Sequence, residues 1–232
     1  GVGGSGTIFL TGCNLGCVYC QNYDISHLGH GSPVSVEELS RGMMHLQNMG
    51  CHNINLVTPT HFIPQLVKGI RMAIERGLRL PVVYNCGGYE SVSTIRLLEG
   101  IIGIYMPDMK YSDRQGAGRY SNASDYFDRC REAVREMHRQ VGDLNLDSRG
   151  IARRGLLIRH LILPNDLAGS REILRFIAEE ISKDSYVNIM FQYRPMFKAA
   201  EYEELNRRPS LDEYREAIAM AQDFGLHRGF GR

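Results

Sequence analysis

Short strand-like apolar runs alternate with helix-like amphipathic stretches from one end of this 232-residue chain to the other, and that alternation most constrains its fold. Thr7-Ile8-Phe9-Leu10 is a β-branched and aromatic run of strand length. Ser35 then precedes Glu37, Glu38 and an apolar spacing through Leu39, Met43, Leu46 and Met49 that ends at Gly50. Acid in the first turn and glycine after the last predict a helix there. A second strand is expected at 54–57, and Thr58-Pro59-Thr60 leads into a helix over 61–76 stopped by Gly77. Further strand and helix pairs are expected at 81–84 and 90–99, 101–106 and 124–141, 156–163 and 170–182, and 186–191 and 210–224.

Six βα units with short connections demand a parallel sheet, because parallel strands are joined by right-handed crossovers through helices. The expected fold class is α/β, with any active site at the carboxyl ends of the strands. Periodicity alone does not decide between an open sheet and a partial barrel. The length suits one domain, and no linker or low-complexity tract marks a second.

A net charge of +1 argues against a nucleic-acid partner, which needs basic residues massed on one face. The pairs Arg153-Arg154 and Arg207-Arg208 sit among acids and read as solvated surface. No apolar run approaches the roughly 18 residues that cross a bilayer, and no leader opens the chain, so a cytoplasmic enzyme without a membrane partner is expected. The first residue is Gly1 rather than methionine, which points to a fragment, a processed form or a trimmed chain.

Three of the six cysteines crowd into eight residues as Cys13-x-x-x-Cys17-x-x-Cys20, at the end of the first expected strand. Thiolates at this spacing can wrap one face of an iron–sulfur cluster, and three ligands leave one iron open, as catalytic metal sites require. Gly12 and Gly16 would supply the backbone freedom for the wrap. The competing readings are a Cys₃His zinc site completed by His27 or His30, and a cluster used only for electron transfer. Cys51, Cys86 and Cys130 stand singly and read as small buried hydrophobes.

Gly12-Cys13-Asn14-Leu15-Gly16-Cys17-Val18-Tyr19-Cys20-Gln21-Asn22 resembles the signature loop of the radical S-adenosylmethionine (SAM) superfamily, closest to its pyruvate formate-lyase activating enzyme-like branch. The resemblance implies a single radical SAM core domain over residues 1–232, a parallel-stranded partial (β/α)6 TIM-type barrel. It implies two cofactors: a [4Fe–4S] cluster on Cys13, Cys17 and Cys20, and SAM chelated to the fourth iron. An electron from the reduced cluster then splits the sulfonium to methionine and a 5′-deoxyadenosyl radical, which abstracts substrate hydrogen. A flavodoxin- or ferredoxin-type donor is implied as a partner, and as substrate either a glycyl-radical protein or a small molecule. The aromatic before the last ligand, Tyr19, matches the family residue beside the SAM adenine.

Other strand ends carry further candidates under the same resemblance. Where the family commonly has a Gly-Gly-Glu motif for the SAM amine, this chain has Thr58-Pro59-Thr60-His61. Thr58 and His61 are the candidate replacements, with Thr60 as a helix N-cap the structural alternative. Asn85 faces the SAM ribose or carboxylate, and Cys86 is packing. Asp108 and Lys110 resemble the Asp-x-Lys of activating enzymes, with Lys110 the candidate catalytic side chain and Asp108 a cofactor contact. Arg159 and His160 point to opposite faces of their strand, and the resemblance places Arg159 at the SAM carboxylate. Gln192, Tyr193 and Arg194 would reach the rim, with Gln192 a cofactor contact.

Overall fold

Seven strands build the sheet in the computed structural model of this chain, which describes residues 2–230. They are β1 (Gly6–Phe9), β2 (Ile54–Val57), β3 (Val82–Cys86), β4 (Ile104–Pro107), β5 (Asn145–Leu146), β6 (Ala152–Leu161) and β7 (Tyr186–Met190). Six run parallel in the order β1-β2-β3-β4-β6-β7, while the two-residue β5 pairs antiparallel with β6. Among the described residues β1 and β7 do not pair with each other, so the sheet is an incomplete (β/α) barrel with the chain order kept across it. The register aligns Phe9, Val57, Asn85 and Met106, and brings Asp108 opposite Arg159. The carboxyl ends of all six parallel strands therefore open on one side.

The described residues form eight α-helices around the sheet and its loops: α1 (Tyr23–Ser26), α2 (Val36–Asn48), α3 (Ile63–Glu75), α4 (Val92–Leu97), α5 (Arg114–Ser121), α6 (Tyr126–Val141), α7 (Ser170–Phe176) and α8 (Leu211–Asp223). Ser35 accepts the Glu38 amide while the Glu38 carboxylate takes the Ser35 amide, a capping box that starts α2; Ser210 and Glu213 do the same for α8. Met43, Ile54, Leu56, Ile70, Tyr84, Tyr105, Ile158 and Val187 belong to one continuous core between sheet and helices. No helix among the described residues is long and apolar enough to cross a membrane.

The expected elements stand with shifted bounds, β4 starting at Ile104 rather than 101 and β6 running from Ala152 to Leu161 rather than over 156–163, and three further differences have a physical reason. The strand expected at 81–84 runs on to Cys86, so Asn85 and Cys86 are strand residues rather than loop. Helix 61–76 is divided: a 3-10 turn at Thr60–Phe62 precedes α3, whose N-cap is Phe62. Thr60 caps nothing; its hydroxyl donates to the buried carboxylate of Glu90 at 2.7 Å. α5 was not anticipated, because Gly116 and Gly118 interrupt it and it has little apolar periodicity.

Candidate active site

The cysteine loop leaves β1 through Gly12, whose φ of +80° is open to glycine, and returns through the short helix α1. Gly16 has no such need; it serves through its amide, which donates to the Ser121 carbonyl at 3.0 Å. The Val18 amide donates to the Tyr120 carbonyl at 2.9 Å, so the carboxyl end of α5 clamps the loop twice. Lys198 holds it from the other side, donating its amide to the Val18 carbonyl.

Cys13, Cys17 and Cys20 line one cleft at the carboxyl ends of the strands. Each sulfur has a polar partner: the Leu15 amide at 3.4 Å from Cys13, the Ser121 hydroxyl at 2.9 Å from Cys17 and the Ser26 hydroxyl at 3.1 Å from Cys20. Burial pushes the Cys13 thiol up and that of Cys17 up to about 11, with the positive charge of Lys110 opposing the rise at both. Among the described residues no group of three or more His, Cys, Asp or Glu side chains is placed to hold a single metal ion. His27 stacks on Phe197 at 4.6 Å and His30 is exposed. Zinc draws its ligands to within about 2.0–2.3 Å of one point, whereas a four-iron cluster takes each thiolate on a different iron. Three thiols on one cleft wall, each with a polar neighbour and a cation opposite, fit the cluster.

Across the cleft, Asp108, Lys110, Arg159 and Asn85 form a connected polar group from the ends of β3, β4 and β6. The Lys110 ammonium donates to Asp108 Oδ2 at 2.6 Å, and Arg159 Nε donates to Asp108 Oδ1 at 2.7 Å. Arg159 Nη2 continues to Asn85 Oδ1 at 2.8 Å. Burial would raise the Asp108 pKa, but Arg159 and Lys110 hold it below the usual carboxylate range. Burial would likewise lower that of Lys110, and Asp108 with Cys17 holds it up. Two cations share one carboxylate, leaving the group with one net positive charge facing the cysteine loop.

The remaining sequence candidates divide. Thr58 lines the cleft in a left-handed conformation, φ +58°, which is costly for a β-branched residue. Gln192 lines it at the rim. Tyr19 lines it too, yet is only 4% exposed, its ring edge-on to Tyr111 and Tyr193. His61 is not part of the cleft: the 3-10 turn carries it to the Thr11 carbonyl, 2.6 Å from its Nε2. Tyr193 is buried rather than at the rim, its hydroxyl on the Leu205 carbonyl. His160 takes the opposite face of β6 from Arg159, fully buried between the Met109 carbonyl and Ser170.

Sequence reasoning missed two supporting residues. Tyr126 is fully buried at the start of α6, and its hydroxyl accepts the Lys110 amide at 3.0 Å while lying 2.8 Å from the Gly87 and Asp108 carbonyls. It ties the loop after β3 to that after β4. Gly88 makes that approach possible, since a Cβ there would lie 2.1 Å from the Asp108 carbonyl oxygen. Glu90 is 3% exposed, with the Thr60 and Tyr84 hydroxyls donating to its two oxygens. An acid two residues past a glycine pair was the available signal. Burial pushes Glu90 up to about 7 from an ordinary 4.5, against the pull of Thr60 and Tyr84. Folding thus favours its protonated form, so its contribution is complete below about pH 4.5 and is lost as pH rises through about 7. Glu90→Gln removes that loss: between pH 4 and pH 8 the variant should gain on the order of 3 kcal/mol over wild type in urea unfolding. A stability difference independent of pH would refute this account of Glu90.

The superfamily model for radical SAM proteins matches residues 7–143, more than half of the chain and all three clustered cysteines. The chain belongs to the radical SAM superfamily. An uncharacterized protein of Methanocaldococcus jannaschii is 32% identical over 96% of this chain, which spans only 63% of that relative's length. Among solved structures, HydG, a maturase of the [FeFe]-hydrogenase, superposes with a TM-score of 0.66 at 14% identity, over 97% of this chain and 50% of its own. A radical SAM methyltransferase from Sphaerobacter thermophilus does so with a TM-score of 0.67 at 14% identity, over 97% of this chain and 65% of its own. At such identities these two share the fold, the partial barrel described above. Radical SAM proteins use a [4Fe–4S] cluster and SAM, and those are the cofactors of this one. Radical SAM enzymes need an electron donor.

Proposed function

We propose that this radical SAM protein binds SAM across the cleft between the cysteine loop and the Asp108 group, and directs the resulting radical at a hydrogen atom of a protein partner. The single observation that carries the reading is the facing of three clustered thiols by a buried cationic group with a fixed shape. When bound, the cluster and SAM would supply one-electron radical chemistry for hydrogen abstraction from the substrate. In this reading Cys13, Cys17 and Cys20 would hold the cluster.

Arg159, held by Asp108 and Asn85, presents a charged fork suited to the SAM carboxylate. Thr58 takes the amine, at the point where the backbone holds a strained turn. Lys110 keeps positive charge near the cluster thiolates, and Gln192 and the edge of Tyr19 border the adenine. His61 has no place in this reading. The Asp-x-Lys pattern after β4 supports an activating-enzyme-like role and hence a glycyl-radical protein as partner. A flavodoxin- or ferredoxin-type carrier in a reducing cytoplasm suits such a cluster.

The test is anaerobic reconstitution with iron and sulfide, reduction by dithionite, and measurement of 5′-deoxyadenosine from SAM. Extracts from cells grown on deuterated medium, separated by size, then locate the substrate. Deuterium reaching 5′-deoxyadenosine from the high-mass fraction supports a protein substrate, and deuterium from the low-mass fraction transfers the assignment to a small molecule. No 5′-deoxyadenosine under any condition refutes SAM cleavage altogether.

A further inference from the structure

We infer that Tyr111 and Ser121 form a buried hydrogen-bond relay that sets the reduction potential of the cluster through the Cys17 sulfur, a role that rests on the cluster assignment above. Ser121 Oγ lies 2.9 Å from Cys17 Sγ, and Tyr111 Oη lies 2.8 Å from Ser121 Oγ. Tyr111 is 0% exposed and Ser121 is 1% exposed, so no water competes for either hydroxyl. A thiolate ligand has no proton and can only accept, so the Ser121 hydrogen must point at sulfur. Serine has one hydroxyl hydrogen; its oxygen therefore accepts from Tyr111, and the order Tyr111 to Ser121 to Cys17 is forced.

Two hydroxyl dipoles thus stand head to tail with their positive ends toward the sulfur, in surroundings that screen them weakly. Reduction adds one electron to the cluster and its thiolates. Dipoles aimed this way stabilise the added charge, which raises the potential. The other two sulfurs lack an equivalent. Cys13 accepts a longer contact from the Leu15 amide, and the Ser26 hydroxyl beside Cys20 also lies 2.9 Å from the Asn22 carbonyl, which competes for its one hydrogen. Ser121 is moreover held in place by the backbone: its carbonyl accepts the Gly16 amide, one residue before Cys17, at 3.0 Å. The hydroxyl and the sulfur are therefore positioned by one rigid junction between α5 and the cysteine loop.

The experiment is a redox titration of reconstituted protein without SAM, poised with dithionite and mediators and followed by the EPR signal of the reduced cluster. At a fixed applied potential, Ser121→Ala should lower the ratio of reduced to oxidised cluster about tenfold, a shift of about 59 mV to more negative potential for one electron. Tyr111→Phe should shift it in the same direction by less, and Ser121→Thr, which keeps the hydroxyl, should hold the wild-type potential. Full iron content with an unchanged potential in Ser121→Ala overturns the relay. So does a shift in Ser121→Thr as large as that in Ser121→Ala, because packing would then be the cause. If Ser121→Ala assembles no cluster, Tyr111→Phe decides by the presence or absence of its shift. Wild-type protein that takes up no cluster at all instead overturns the assignment on which the relay rests.

Discussion

Cys17→Ser is expected to give a folded chain that assembles no iron–sulfur cluster. Its sulfur is the most enclosed of the three, 8% exposed for the residue as a whole, and the further cysteine that lines the cleft, Cys86, lies on β3, outside the loop. A serine oxygen holds its proton far more tightly than a thiol and is a poor ligand for iron, so the cluster loses a third of its anchorage. The fold should survive. Serine offers an oxygen to the Ser121 hydroxyl, so no buried donor is orphaned, and it is close in size to the cysteine it replaces at this position of the core. Iron and sulfide per chain should fall to background after reconstitution, while the urea midpoint moves by no more than about 1 kcal/mol equivalent. Wild-type iron loading in this variant would end the ligand assignment.

Asp108→Ala should produce the largest loss of stability of any single change at the site. Among the described residues the carboxylate is the one counter-charge to both Lys110 and Arg159, whose side chains are 14% and 23% exposed. Removing it leaves two poorly hydrated cations facing each other, and breaking a buried pair in this way typically costs about 3–5 kcal/mol. The same change frees the Arg159 fork from the orientation that Asp108 and Asn85 give it. Urea unfolding of the metal-free protein at pH 7 measures the first effect. Adding Lys110→Met to Asp108→Ala should recover part of the loss, because one of the stranded charges is then gone. Additive losses in the double variant would show that Lys110 and Asp108 do not act as a pair.

The Asp108 group illustrates how far single-sequence reasoning reached. Asp108 and Lys110 lie two residues apart after a strand, and Arg159 interrupts an apolar strand, so each was visible as a charge where a charge is expensive. Their convergence follows from parallel strand order, since β3, β4 and β6 are neighbours and their ends share one level. His61 shows the limit of the same reasoning. It sits three residues past Thr58, but Pro59 and Thr60 enter a 3-10 turn instead of an α-helix, and that change of rotation carries the ring out of the cleft. Glu90 and Tyr126 were missed because their environments are made by residues from other elements. The burial of Glu90 needs Thr60, thirty positions away, and the role of Tyr126 needs carbonyls from two different loops.

Two things were determined by the amino-acid sequence alone. The cysteine spacing singled out the candidate ligand set, because three thiols within eight residues can reach one cluster, and the alternation of short apolar runs with amphipathic stretches defined a parallel α/β sheet. Tertiary structure decided the rest: which charges meet across the cleft, which histidine turns away, and which hydroxyl bonds the Cys17 sulfur. Ser121 lies 104 positions from Cys17 on a helix with almost no apolar signature, so their 2.9 Å contact has no local trace. Local chemistry is written in spacing, whereas a polar contact between distant segments exists only once hydrophobic packing has brought their backbones together.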